Sequence, residues 1–517
     1  MVLTLHQFCQ IGWREICKKV KKAVVYVDNQ AAECLHWNGG LNQMISAGAI
    51  TVKEFSSFEN GKPEHKKAVF ILCSPVYGTT KMILQDLIRN SSFEYCVLIT
   101  SAHARVHLLA KYGGYREGIE DMSLFHALEE EMLEWMGNMN YTVEVIYSPL
   151  FILPLTEMIF LTPPFREMIP ITEAHIPKIF ELYMLQHKDV NMQSSDTLSS
   201  IELPFLPLEL QISVHQLVSC LHSLFVTLEM QEDIYSLGHL SGLVAGQLEA
   251  LHDASNRRKT APNHCSLILI DRTLDLASVT SYNSDSLLDK ILAVLPRLPG
   301  HSNDVAVNMS PICNVKVVIK KSFHSLCAAK ILLEKGIQLK AVAASVWLQF
   351  FVGWLAVICY WTERISKERS SALGNVVLAP GCLAQPNSDI CSQQALAVTQ
   401  TLRSPRFAQL EVIVSIEKVL LQNLGSSKHG IGVLAQITSV QASLLLNRQK
   451  QQHPLDNPVL IVFILGGITA QEVKLIQEMV VSSGQETKVL VGGTRLLSPN
   501  DAVESVFVKD PLMQDVL

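Results

Sequence analysis

Cys265-Ser-Leu-Ile-Leu-Ile-Asp-Arg-Thr-Leu-Asp275 is an apolar run that ends abruptly in charged residues. A second stretch of the same kind, Pro458-Val-Leu-Ile-Val-Phe-Ile-Leu-Gly-Gly-Ile-Thr469, ends in a glycine turn. We call these stretches the first and second signatures. Each run is typical of a strand buried on both faces of a parallel sheet. Because neither strand tolerates an exposed face, we expect Leu267–Ile270 and Leu460–Phe463 to lie in one sheet.

The composition indicates a globular protein. The 517 residues are enough for about two to four domains, and 48% of them are hydrophobic while 17% are charged. The net charge is −6, and the basic runs Lys18-Lys19, Lys21-Lys22 and Arg257-Arg258-Lys259 are short, so a nucleic-acid partner is not expected. The 12 cysteines show no Cys-x-x-Cys spacing. We therefore predict no metal, no cofactor and a cytoplasmic setting.

The order of strand-like and helical patterns predicts the domain organisation. Alternating short apolar runs and helical patterns in residues 1–150 indicate an amino-terminal α/β domain. Prolines break the segment that follows, and we interpret it as an extended connector holding neither a helix nor a central strand. The polar stretch 253–264 is interpreted as an exposed linker. The remaining predicted segments are a connector with helices of the middle region (151–255), the first part of a second α/β domain (256–335), a reduced helical domain (336–450) and a closing strand-helix-strand (451–517).

Residues 341–361 form an uncharged, aromatic-rich stretch inside the reduced helical domain. As a helix it would be roughly 30 Å long, the thickness of a bilayer core. Two interpretations are open: a membrane-spanning segment, or an apolar helix that packs on the rest of the helical domain. We favour the second, because a single span would place the two signatures on opposite sides of a membrane.

The residues after the two apolar runs are the candidate site. The turn after the first run holds two carboxylates and a guanidinium, those of Asp271, Asp275 and Arg272. This set suits acid–base chemistry. It also suits a structural bridge from Arg272 to Asp275 or to a nearby carbonyl. Gly466 and Gly467, followed by Thr469, resemble the start of a phosphate-binding loop. They lack both standard phosphate-loop spacings, which favours a tight turn capped by Thr469. A structural role is the preferred hypothesis at both turns.

Two weaker motifs also have structural interpretations. His103 and His107 have a metal-capable spacing on a predicted helix, but no glutamate follows His103 as in a zinc protease. The acidic run at 129–131 is interpreted as a solvated helix face.

Taken together, the two signatures resemble the SM family, the Sec/Munc-like regulators of SNARE-mediated membrane fusion. The first signature is similar to the strand that opens the family's later α/β domain. The second signature and Gly492-Gly-Thr-Arg-Leu-Leu497 resemble the family's closing strand-helix-strand, and Val24-Val-Tyr-Val-Asp28 resembles its first strand. The resemblance implies an α/β fold class: an SM-like multidomain arch of parallel sheets with helices on both faces, plus a helical domain that is reduced here.

The resemblance also implies a function. The expected protein is a non-enzymatic adaptor that binds a syntaxin-type SNARE or SNARE bundle, with tethering factors as further partners, and regulates vesicle docking and fusion. Its membrane contact would be indirect, as a cytoplasmic protein peripherally associated with endomembranes. No partner-binding residue can be carried over, because the matching motifs are structural.

Two other interpretations remain. One is an α/β enzyme or phosphate-ligand-binding protein that uses the turn at Asp271 or Gly466. The other is a membrane-attached, shortened form with impaired function, because the stretch between the signatures is shorter than in most family members.

Overall fold

The computed structural model describes the chain in separate ranges, and its contacts divide the chain into two units. The first unit comprises Met1–Tyr282, Pro299–Asn303 and Gly425–Leu517, and the second comprises Asn283–Leu298 and Asp304–Leu424. The described residues are 4–113, 121–186, 197–280, 297, 301–302, 306–308, 323–325, 454–469, 471–473, 475, 487–507 and 512.

A five-stranded parallel sheet organises the amino-terminal part of the first unit, in the order β2-β1-β3-β4-β5. The central strands are almost wholly apolar and buried, as their unbroken apolar sequences predict. This arrangement confirms the α/β fold class. The elements are α1 (Leu5–Lys19), β1 (Val24–Val27), α2 (Asn29–Trp37), α3 (Gly40–Ser46), β2 (Thr51–Glu54), β3 (Lys67–Leu72), α4 (Gly78–Arg89), β4 (Tyr95–Thr100), α5 (Ala104–Tyr112), α6 (Asp121–Met136) and β5 (Thr142–Tyr147).

A six-stranded sheet in the order β6-β7-β14-β12-β9-β8 follows in the same unit. All neighbouring strands in it are parallel except β6 and β7. Its strands and associated elements are β6 (Leu153–Pro154), β7 (Ile159–Leu161), α7 (Ile176–Gln186), α8 (Leu208–Thr227), β8 (Met230–Leu237), α9 (His239–Ala250), α10 (His252–Thr260), β9 (Asn263–Asp271), α11 (Ala277–Thr280), β12 (Val459–Leu465), β14 (Lys488–Gly493) and α12 (Pro499–Phe507).

The predicted pairing of the two signatures is confirmed. Strands β9 and β12 lie side by side, with Leu267 opposite Ile461 and Asp271 opposite Leu465. Most of their side chains are buried, because helices and loops cover both faces of the sheet. Residues far apart in sequence therefore meet at one carboxyl edge of the sheet.

The interpretation of the proline-rich segment as a plain connector is wrong. Residues 159–161 form β7, an interior strand that lies between β6 and β14. The prolines flank this short strand or lie in β6 at the edge of the sheet, where a missing N–H is tolerated. Phe160, at the centre of β7, is fully buried opposite Gly492.

The interpretation of 253–264 as an exposed linker is also wrong. The stretch forms helix α10 and the first two residues of β9. Arg257 and Arg258 turn inward to the fully buried carboxylate of Glu232 on β8, at 2.5 Å and 3.3 Å. Strand β8 itself was not anticipated, because its sequence carries two acidic residues that look solvent-exposed in isolation.

Several predictions lie outside the described residues. These include the reduced helical domain at 336–450 and the apolar segment 341–361 within it. In the second unit the structure describes the short antiparallel pair β10 (Ala306–Asn308) and β11 (Phe323–Ser325). In the first unit a further short parallel pair joins β13 (Ile468–Thr469) and β15 (Leu496–Leu497). Within the described part of the chain, no helix is both long and apolar enough to span a bilayer.

Helix α8 connects the two sheets of the first unit. Its buried face contributes to one continuous hydrophobic core that also includes residues from β1, β3, β9 and β12. Gln216 on α8 donates to the carbonyl of Cys73 after β3, at 2.6 Å. Tyr147, the last residue of β5, shares a 2.8 Å hydrogen bond with Ser223 of α8.

Candidate functional site

The predicted site residues lie at the carboxyl edge of the six-stranded sheet. Asp271 is the last residue of β9, and Gly466 directly follows β12, its neighbour. Because parallel strands end at the same edge, the two signatures bring their turns together. The geometry of this edge shows what these residues are able to do.

The carboxylate of Asp271 is bound to the amino terminus of helix α9. It accepts hydrogen bonds from the backbone N–H groups of Leu240 (2.9 Å) and Ser241 (2.8 Å) and from the Ser241 hydroxyl (2.5 Å). A negative charge is favourable at a helix amino terminus, where N–H groups lack partners within the helix. Burial nevertheless raises the pKa of Asp271 to about 6, and these hydrogen bonds offset only part of that effect.

Gly238 allows this close approach. Its φ of +114° lies in a region that favours glycine. A Cβ at this position would lie 2.3 Å from the Asp271 carboxyl carbon, so any larger residue would displace the carboxylate from the helix.

Arg272 points back across the edge and joins the two signatures. The Nη1 atom of its guanidinium donates to both oxygens of the Glu472 carboxylate, at 2.7 and 2.9 Å. Its Nε donates to the carbonyl of Asp275 at 3.1 Å, and the Asp275 carboxylate lies 3.7 Å away. The bridge from Arg272 to Asp275 therefore exists, and Glu472 is the partner that local spacing did not reveal.

Other residues of the chain occupy the space beside the glycine turn that follows β12. Gly466 and Gly467 have φ angles of +97° and +109°. A Cβ on Gly466 would lie 2.7 Å from the Arg272 Cβ, and one on Gly467 would lie 2.7 Å from the Leu497 Cγ. The Gly466 N–H donates to the Thr494 hydroxyl at 3.2 Å, so it is not directed at an external phosphate.

Thr469 caps the helical residues 471–473. Its hydroxyl accepts from the Glu472 N–H at 3.1 Å, while the Glu472 carboxylate accepts from the Thr469 N–H at 2.9 Å. The same carboxylate binds Arg272, so this cap and the first signature share one buried charge pair. Asp271, Arg272, Asp275, Gly466, Gly467 and Thr469 thus lie within one network of internal contacts.

The two histidines in helix α5 do not form a metal site. His103 is the N-cap of α5 and His107 lies within the helix. The ring of His107 accepts from the Val76 N–H at 3.2 Å, and burial, with a smaller contribution from His103, lowers the pKa of His107 to about 4. Among the described residues, no group of three or more His, Cys, Asp or Glu side chains has the arrangement of a metal site.

The acidic run on α6 is less solvated than predicted. Glu131 pairs with Lys81 at 2.5 Å and with Lys111 at 3.2 Å, and these hydrogen bonds lower the pKa of Glu131 against the opposing effect of its burial. Glu129 accepts from the N–H of Val145 at 2.9 Å and so connects α6 to β5.

The exposed apolar side chains near β2 form a different kind of candidate site. Leu41 and Ile45 lie four residues apart on α3 and are 57% and 49% exposed. Phe58, just after β2, is 94% exposed. Residues four apart share one face of a helix, so we define Leu41 and Ile45 as the α3 face. A group of exposed apolar side chains is a candidate protein–protein contact.

The comparisons with known proteins give a consistent result. No protein-family model matches the chain. The chain is 32% identical over 488 residues to human Sec1 family domain-containing protein 2, which covers 88% of this chain and 69% of the relative. The mouse protein of the same name is 31% identical over 484 residues, with the same coverage.

The similar solved structures are more distant in sequence. The SM protein Vps45 in complex with the Qa SNARE Tlg2 has a TM-score of 0.51 at 12% identity, covering 98% of both chains. Sly1p in complex with an N-terminal peptide of Sed5p has a TM-score of 0.50 at 11% identity, also covering 98% of both chains. These structures show the fold alone. The sequence relatives share about a third of their residues with this chain across most of both lengths, and the chain therefore belongs to the Sec1, or SM, family.

Proposed function

We propose that this protein is an SM adaptor that binds a syntaxin-type SNARE, or an assembling SNARE bundle, and regulates vesicle docking and fusion. The observation that carries the proposal is the 32% identity to a Sec1-family protein over 88% of the chain. The partner class is supported by the solved structures of similar fold, which contain Vps45 with the Qa SNARE Tlg2 and Sly1p with a peptide of Sed5p.

The proposed role is non-enzymatic. An α/β enzyme or phosphate-binding protein would need open polar groups at the turn after β9 or β12. The Asp271 carboxylate instead occupies the amino terminus of α9, and Arg272 is bound to Glu472. This closed arrangement supports the adaptor over the enzyme.

The protein is proposed to be peripherally associated with endomembranes, with tethering factors as additional partners. Association with membranes would follow from the partner, because a SNARE is resident in the membranes that it fuses. The five-part domain division also stays a prediction. The described residues contribute one observation to it: the middle region and the closing strands share the six-stranded sheet.

We assign a SNARE-contacting role to the α3 face and to Phe58. The Leu41 and Ile45 side chains form an apolar pair with the spacing that fits along a partner helix. Phe58 adds an aromatic side chain, the type that contributes most binding energy at protein interfaces. All three are more exposed than their apolar character would favour without a partner.

Binding assays with matched variants test this assignment. The Leu41→Ser/Ile45→Ser double variant and Phe58→Ala should each weaken binding to the cytoplasmic part of the partner SNARE by about tenfold or more. Leu185→Ser is the control, because Leu185 is 67% exposed on α7, away from α3 in sequence. Equal binding by all variants, with unchanged melting temperatures, would show that the SNARE binds elsewhere.

A further inference from the structure

The starts of the strands in the first sheet carry an unusual concentration of lysines. Because all five strands are parallel, the residues that precede them lie along one edge of the sheet. Helix α1 ends at this edge, and its last turn contains two more lysines. We define the lysine rim as the six side chains at this edge: Lys18, Lys19, Lys21, Lys22, Lys66 and Lys67.

Backbone hydrogen bonds hold the segments of the rim together. The N–H of Lys22 donates to the Gly48 carbonyl at 2.8 Å, and the N–H of Ile50 donates to the Ala23 carbonyl at 2.9 Å. On the other side, the N–H of Glu94 donates to the Lys66 carbonyl at 2.8 Å. These hydrogen bonds fix the backbone of the segments that carry Lys22 and Lys66 at this edge.

The acidic side chains at this edge neutralise only half of the lysines. Lys18 pairs with Glu15 at 2.6 Å, Lys19 with Glu144 at 2.5 Å, and Lys66 with Glu94 at 2.8 Å.

The other three lysines carry the excess positive charge of the rim. Lys21 and Lys22 are exposed and form no ion pair with any residue that the structure describes. Lys67 lies over the Tyr95 ring at 4.8 Å. Burial and the nearby Lys19 lower the pKa of Lys67, against the opposing effect of Glu144. The preceding turn adds Lys62 and Glu64, whose charges offset each other, so the rim is positive although the whole chain has a net charge of −6.

An exposed apolar side chain lies within the rim. Ile50 precedes β2 and is 51% exposed, next to the turn that carries Lys21 and Lys22. The turn at Gly48 has a φ of +97°, and a Cβ there would lie 3.4 Å from the Lys21 side chain. The Lys21 side chain is therefore held against the segment that presents Ile50.

We infer that the lysine rim contacts the surface of an anionic lipid membrane directly, with Ile50 entering the headgroup layer. Clustered lysines are attracted to negatively charged headgroups, and an apolar side chain adds contact with the acyl boundary. This contact goes beyond the proposed SNARE binding, because it would orient the adaptor on the membrane independently of the partner.

The chemistry of the rim favours a membrane over an acidic protein segment. All six rim side chains are lysines, which act as hydrated point charges. Recognition of individual carboxylates more often uses the planar fork of arginine. The charges are also spread over the starts of neighbouring strands, which suits an extended layer of headgroups.

Co-sedimentation of the full chain with lipid vesicles tests the inference. Binding should be weak to vesicles of phosphatidylcholine alone, and strong when phosphatidylserine is included. Raising the salt concentration should weaken it, because salt screens exposed charges. The Lys21→Glu/Lys22→Glu variant should reduce this binding about tenfold or more. Ile50→Ser should reduce it without changing the net charge.

The control variant is Lys259→Glu/Lys488→Glu, which changes two other exposed lysines and has the same net charge. It should bind the vesicles like the parent chain. Melting temperatures must be equal for all variants compared. The inference is overturned if the rim and control variants sediment alike. It is equally overturned if the rim variant loses SNARE binding while its vesicle binding is intact, because the rim would then contact an acidic protein segment.

Discussion

Arg272 and Glu472 join two segments that lie 200 positions apart in the sequence. Both side chains are largely buried, and one guanidinium nitrogen, Nη1, lies 2.7 and 2.9 Å from the two carboxylate oxygens. Removing one partner from a buried pair leaves an uncompensated charge. Arg272 in the first signature and Glu472, just after the second signature, therefore connect β9 to the segment that follows β12.

The contacts of Asp271 make a prediction about stability and pH. Below about pH 4, where the carboxyl group is protonated in the folded chain, the Asp271→Asn variant should be less stable by about 1–2 kcal/mol, because an amide replaces only part of the helix cap. Burial raises the pKa of Asp271 from 3.8 to about 6 in the folded chain. The unfolded chain therefore ionises first as the pH rises, and the parent loses this contribution between about pH 4 and pH 6.

Asparagine does not titrate, so the parent should lose stability relative to the variant over that pH range. One pKa unit is about 1.4 kcal/mol, so the difference between the two proteins should narrow and then change sign. Urea denaturation of both proteins at several pH values measures it. A difference that widens with rising pH would mean that the hydrogen bonds at the amino terminus of α9 outweigh burial, so that the pKa of Asp271 is not raised. Loss of a saturable phosphate-ester hydrolysis, at an unchanged melting temperature, would overturn the structural role of Asp271.

At the scale of the element, β7 depends on a close approach between strands. A Cβ on Gly492 would lie 2.4 Å from the Phe160 ring on β7 and 2.5 Å from the Phe463 ring on β12. The glycine therefore makes room for two aromatic side chains, whose ring centroids are 5.9 Å apart. These contacts hold the proline-flanked segment in the sheet.

We expect Gly492→Ala to destabilise the protein by about 1–3 kcal/mol through overpacking. The second change Phe160→Leu should restore part of the loss in the double variant, because it removes the ring that the new methyl group meets. Thermal or urea denaturation of the two single variants and the double variant measures the coupling. Simple additivity of the two losses would show that Phe160 does not pack against position 492.

The sequence predicts the elements that rest on local patterns and misses those that rest on distant contacts. The apolar runs predicted β9, β12 and their shared sheet, because burial on both faces leaves a visible composition. Strand β8 was missed because its buried Glu232 is compensated by Arg257 and Arg258 from a helix 25 and 26 positions away. Strand β7 was missed because a three-residue apolar run between prolines has no local pattern of a strand. Its strand character depends on its pairing with β6 and β14.

In the candidate site, too, local signals were predicted and distant contacts were missed. The turns at Asp271 and Gly466 were located correctly, because a strand end followed by polar or glycine residues is a local signal. The contacts of Asp271 with α9 and of Arg272 with Glu472 depend on pairings that no local spacing reveals. The α3 face was not anticipated, because exposed Leu41 and Ile45 look like core residues in a helical pattern.

At the scale of the whole molecule, the family resemblance inferred from the signatures is confirmed by relatives that match most of the chain. The described part of the chain has the fold of SM proteins. The buried charge network and the closed turns hold the strands of the six-stranded sheet together. We propose that two exposed features, the α3 face and the lysine rim, contact a SNARE and a membrane.

The most direct test is titration calorimetry of the purified full chain against the cytoplasmic parts of a panel of syntaxin-type SNAREs. We expect saturable binding to at least one member of the panel, with a Kd of about 1 μM or lower, equivalent to about 8 kcal/mol. Burial of apolar surface should also give a negative heat-capacity change. The purified chain must show a cooperative melting transition, so that it is known to be folded. If such a chain binds no member of the panel, either alone or as an assembled SNARE bundle, the protein is not a SNARE-binding adaptor.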